Sequence, residues 1–178
     1  MTKLSSIKKL TITAVCIALS CVLPVAFHTI GLGSSLSPLH IPALLCGMVC
    51  GGFYGLACGV IGTLMSTIVS GMPPAAFWVY MIPELAVYGL VTGLCMRYIR
   101  TKNLYADMYI SMAIAMILGR VIGGIARALF YTSSSAFTLA VWASSYFVGT
   151  LPGIICHLIL IPLLVVVLTK VRLIPKRY

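Results

Sequence analysis

Long apolar runs dominate the chain, near residues 7–28, 40–70, 76–99, 106–131 and 138–169, and short stretches rich in Gly, Pro and Ser separate them. At 1.5 Å per residue a helix needs about 20 apolar residues to cross a bilayer. The run 40–70 is long for one crossing and short for two. Gly51-Gly52 lies at its centre, where a tight turn costs little. The pattern therefore predicts an all-α membrane protein of six transmembrane helices, 7–28, 40–51, 53–70, 76–99, 106–131 and 138–169, forming a single integral membrane domain over residues 1–178.

The positions of the basic residues support that division. Lys3, Lys8, Lys9, Arg97, Arg100, Lys102, Lys170, Arg172, Lys176 and Arg177 all flank apolar runs. With six crossings these residues collect on one side, and the opposite loops, 29–38, 71–76 and 131–137, hold no Lys or Arg. By the positive-inside rule both termini are then cytoplasmic. The N-terminal run is too long for a signal peptide and lacks a convincing cleavage site, so it is expected to be a retained first helix.

Composition narrows the class. The chain is 61% hydrophobic and 8% charged, against about 25% charged in soluble domains. A net charge of +10 could suggest nucleic acid, but its confinement to segment ends argues for membrane topology and against a nucleic-acid partner. The seven cysteines lie in or at the ends of apolar runs without zinc spacing, so they are expected to be packing residues, and no metal or cofactor is implied.

Two charges break the apolar pattern. The segment MILGRVIGGIARALFY, residues 116–131, carries Arg120 and Arg127. A charge at mid-bilayer costs about 2.5–3.5 kcal/mol on insertion scales. The spacing of seven puts both arginines on one helix face. Glu84, in the outer half of the fourth helix, is the acid expected to be embedded with them. A Glu84–Arg120 ion pair would satisfy one arginine and leave net positive charge in the outer half. Arg120 is then either a structural partner of Glu84 or a substrate-facing group, and Arg127 either faces substrate or reaches the outer headgroups. If both face a cavity, the preferred guest carries a carboxylate or another anionic group.

Polar and aromatic residues gather in the uncharged loops. HTIGLGSSLSPLHIP brings Ser37 and His40, SGMPPAAFWVYMIPEL brings Trp78, Tyr80 and Glu84, and FYTSSSAF and VWASSYF bring Tyr131 and Tyr146. Together with Arg120 and Arg127 these are the candidate substrate-binding residues of a pocket open to the outside. Gly47, Gly51, Gly55 and Gly59 recur every four residues, and Ala14 and Ala18 repeat the small-xxx-small pattern in the first helix. Such faces permit close helix packing in lipid, and Ala14/Ala18 is a docking surface for another membrane subunit.

Several function classes lack their motifs. The chain has no GxxxxGK[ST] loop, HExxH or GxSxG. Nothing local pairs the histidines with Ser144 or Ser145 as a hydrolase would require, so no catalytic residue is assigned. Matching broken halves, expected of a self-sufficient secondary transporter, are also not seen. A small stand-alone secondary transporter or channel is the competing class.

Six helices in a chain of this length resemble the substrate-binding S component of energy-coupling factor (ECF) vitamin transporters. Ala14-xxx-Ala18 is similar to the family's alanine motif, and LHIPALLCGMVCGGFYGLACGVIGTLMSTIVSGMPP and PELAVYGLVTGL resemble its second to fourth helices. The resemblance implies a non-enzymatic subunit of the bacterial plasma membrane that captures a vitamin from outside. It implies three further partners, a transmembrane coupling subunit docked at Ala14 and Ala18 and two cytoplasmic ATPases. The pattern HIP…MPP…PELAVYG is most similar to the subgroup associated with pantothenate. Pyridoxine, a thiamine-precursor pyrimidine, niacin and queuosine-type compounds remain open.

Overall fold

The computed structural model describes residues 4–29, 31, 33–130, 144 and 148–174. Six helices longer than one turn are found among them. These are α1 Ser6–Thr29, α2 His40–Cys50, α3 Gly52–Ser70, α4 Trp78–Tyr98, α5 Leu104–Phe130 and α6 Leu151–Lys170, with single helical turns at Gly33–Leu36 and Ala75–Phe77. All but α2 are long and apolar enough to cross a membrane.

Local chemistry sets the boundaries. The Ser5 hydroxyl accepts from the Lys8 N–H (3.3 Å) at the start of α1, and the Asn103 side chain accepts from the Tyr105 N–H (3.1 Å) at the start of α5. Both use side-chain oxygens for amides that have no partner within the helix. The chain reverses at Gly51, whose φ of 101° favours glycine. Gly71 closes α3 in the left-handed conformation, its N–H donating to the Thr67 carbonyl (2.8 Å). Inside the helices Ser and Thr hydroxyls donate back one turn, as Thr13 does to Lys9 (2.8 Å) and Ser20 to Cys16 (3.0 Å). An apolar surround offers those hydroxyls no water.

Of the sixth apolar run, 138–169, the described helix covers the part from Leu151 onward. Regular helix begins at Leu151, after a wide turn in which the Gly149 N–H donates to the Ser144 carbonyl (2.9 Å). Pro152 follows at a position where its missing N–H costs nothing. Residues 138–143 and 145–147 lie outside the described residues.

The short α2 is the buried axis of the bundle. Every residue but Val49 is buried, and it packs against α1, α3, α4 and α6. Its 11 residues span about 16 Å at 1.5 Å each, less than a bilayer core. Glycine makes the approach of α2, α3 and α4 possible. Gly47, Gly55 and Gly59 lie against the backbone of α4 at Leu85 and Gly89, and Gly93 lies against Gly52. The fourth glycine of the series, Gly51, takes the positive φ of the turn and would carry a Cβ in open space, while its carbonyl carbon lies against Gly93. Basic residues mark one end of the molecule. There Lys9 lies over the Tyr54 ring (5.6 Å) and its carbonyl accepts from the Cys50 thiol (3.6 Å). At the same end Asp107, fully buried, accepts from the Thr101 N–H (2.9 Å) and hydroxyl (2.7 Å), fixing the α4–α5 connection.

Candidate functional site

At the opposite end, the start of α2, the first turns of α4 and α6 and the later turns of α5 bring polar side chains together. Glu84 is 6% exposed and Arg120 also 6%. They do not pair directly as the sequence suggests. Arg120 Nε donates to the Tyr88 hydroxyl (3.3 Å), which donates to Glu84 Oε1 (2.8 Å). Arg120 also donates to Thr150 Oγ1 (2.9 Å), tying α5 to the start of α6. Glycines of α5 make room for this chain. Gly119 lies against the Tyr88 ring, and a Cβ on Gly123 would sit 2.7 Å from Glu84 Oε2.

His40 extends the network. Its Nδ1 lies 2.9 Å from the Ser37 carbonyl, an acceptor, so Nδ1 carries a proton. Nε2 then faces Glu84 Oε1 at 3.5 Å. That contact is attractive when one further proton lies on either group. The His40 ring also lies 5.0 Å from that of Tyr88 and 5.7 Å from that of His157.

A cavity of about 500 Å³ opens above this network, within the usual range for small-molecule sites. Its wall is mostly apolar, with Pro24, Leu39, Phe77 and Met81 among the lining residues. Six of the sequence-predicted residues, Ser37, His40, Tyr80, Glu84, Arg120 and Arg127, also line it. The Arg127 guanidinium lies over the Tyr80 ring at 5.3 Å, a favourable cation–π placement. Trp78 sits elsewhere. Its Nε1 donates to Thr67 Oγ1 (2.8 Å), and Thr67 and Ser66 donate to the carbonyls of Pro73 (2.9 Å) and Met72 (2.6 Å). Trp78 thus secures the 71–74 loop that forms one cavity wall. Tyr131 and Tyr146 lie outside the described residues. Sequence reasoning passed over Tyr88, Thr150 and Met81; the one signal for Tyr88 is its position four residues after Glu84, on the same helix face.

Electrostatics favour an anion. The chain contains two acidic side chains, Glu84 and Asp107. Asp107 lies about 20 Å along α5 from Arg120 at 1.5 Å per residue. Two guanidinium groups therefore face one local carboxylate. Ala14 and Ala18 lie on the exposed face of α1, away from its buried strip of Thr13, Cys16, Ser20 and Pro24.

A helical membrane protein with a small-molecule cavity at the end opposite its basic flanks, and no phosphate-loop motif in its sequence, is the class these features define. The chain belongs to the ECF transporter, substrate-specific component family, whose model matches residues 8–168. It is a multi-pass membrane subunit that binds a small-molecule substrate, works with transmembrane and ATPase partner subunits, and leaves ATP hydrolysis to the latter. No curated protein and no solved structure matches the chain.

Proposed function

We propose that this subunit captures a small carboxylate vitamin, pantothenate first among the candidates, from the extracellular side of a bacterial plasma membrane. The observation that carries this reading is the positive excess of Arg120 and Arg127 in a mostly apolar cavity of about 500 Å³. An anionic end can meet a guanidinium bidentately, while the apolar wall takes the carbon skeleton. The chain makes six passes with both termini cytoplasmic, and α2, too short to span the bilayer alone, makes one of them inside the bundle. Support comes from the basic residues at one end of the bundle and from α2, which leads the chain back to that end between α1 and α3.

Calorimetric titration of the purified chain against pantothenate, pyridoxine, niacin and a thiamine-precursor pyrimidine tests the assignment. One-to-one binding of pantothenate alone is the expected result. Tight binding of an uncharged or cationic compound instead would overturn the carboxylate reading. Ion-driven uptake by liposomes holding this chain alone would favour a stand-alone transporter.

The exposed Ala14/Ala18 face of α1 is the proposed contact for the coupling subunit, since small residues allow another helix to approach closely. Ala14→Trp is expected to keep wild-type vitamin affinity and to lose co-purification with the coupling subunit. Retained assembly would remove that face from the interface.

A further inference from the structure

Beneath the main cavity lies a second, much smaller void of about 10 Å³, about the room one water-sized group requires. Ser37, His40, Arg120 and Thr150 line both spaces, so the void lies directly against the floor of the cavity. His157 completes its lining. It is 3% exposed, and its Nε2 has no hydrogen-bond partner among the described residues. A buried polar atom without a partner is destabilising, and here it borders a space with room for one more polar group.

We propose that this void is a specificity subsite for a hydroxyl at the far end of the substrate, with His157 as the residue that recognises it. The inference rests on the carboxylate reading of the cavity. A hydroxyl both donates and accepts, so it satisfies His157 Nε2 in either tautomer. An ammonium group would lie beside the Arg120 guanidinium and be repelled. A second carboxylate would need more room and would approach Glu84. Arg127 and Arg120 are separated by seven residues of α5, about 10 Å along the helix. The site thus selects an extended molecule with a carboxylate near Arg127 and a hydroxyl near His157, and pantothenate carries those groups at its two ends.

The test compares pantothenate with its analogue in which the terminal hydroxyl is replaced by hydrogen, titrated into the purified full chain. Removing the hydroxyl is expected to weaken wild-type binding at least about tenfold. His157→Leu should bind both compounds as weakly as the wild type binds the analogue, and His157→Gln should restore the preference. A His157→Leu protein that still discriminates overturns the subsite and leaves the carboxylate reading intact. Failure of wild type to bind either compound overturns the pantothenate assignment and the subsite with it, while the titration against niacin still tests the carboxylate reading. The ¹⁵N resonance of His157 Nε2 in the wild-type protein gives a readout independent of folding in the variants. It should move with pantothenate and not with the analogue; an equal response to both would mean a resident water only, and would also overturn the subsite.

Discussion

Gly89→Leu is expected to abolish assembly of the bundle, and Gly89→Ala alone to destabilise it by more than about 3 kcal/mol, the upper end for inserted core volume. Gly89 lies where α2, α3 and α4 converge. A Cβ there would sit 2.8 Å from the Gly55 Cα and closer still to its carbonyl, while Gly47 and Gly55 both rest on the Gly89 carbonyl. Backbone lies on both sides, so no side chain can swing aside. Lipid tails are as apolar as the helices, so association depends on close packing and a gap is not made good by hydrophobic drive. The same enlargement at Ala18→Leu, on the exposed face of α1, should be silent. Size-exclusion profiles and thermal melting in detergent measure both. A Gly89→Leu protein that remains monodisperse with an unchanged melting temperature would show that α3 and α4 do not meet at these glycines.

That glycine contact explains why much of the fold was legible. Gly51-Gly52 marked the reversal between α2 and α3, and the four-residue glycine repeat marked a packing face without naming its partner. Gly51 shares the spacing yet must be glycine for its φ at the turn, and periodicity cannot distinguish that need from a need for closeness. For the sixth segment the described helix is Leu151–Lys170, and residues 138–143 and 145–147 of the apolar run lie outside the described residues.

The site was legible in its charges and less so in its connections. Matched depth suggested that Glu84 and Arg120 belong together, yet the link runs through Tyr88. A tyrosine in an apolar helix reads as packing unless its i−4 neighbour is charged. Trp78 illustrates the converse. An aromatic at a loop edge suggested ligand contact, whereas its indole N–H is committed to Thr67. One-dimensional sequence gives the depth of a side chain and its helix face, while the partner on a neighbouring helix is set by packing.

Arg127→Ala is expected to weaken carboxylate-vitamin binding about a hundredfold while leaving the melting temperature nearly unchanged. Losing a charge-assisted partner of a desolvated anion costs about 2–5 kcal/mol, and each 1.4 kcal/mol is about tenfold. Arg127 is half-buried at the cavity wall, stacked on Tyr80, so its removal strips little from the core. Arg127→Lys keeps the charge but loses the planar fork and the stacking, and about a tenfold loss is expected. Arg120→Ala should behave differently. It leaves the Tyr88 hydroxyl and Thr150 without a shared donor and Glu84 without the cation linked to it through Tyr88, so affinity and stability should fall together. Titration and thermal melting on the same preparations separate the two arginines. Wild-type affinity in a folded Arg127→Ala protein would assign Arg127 to the lipid headgroups and leave anion recognition to Arg120.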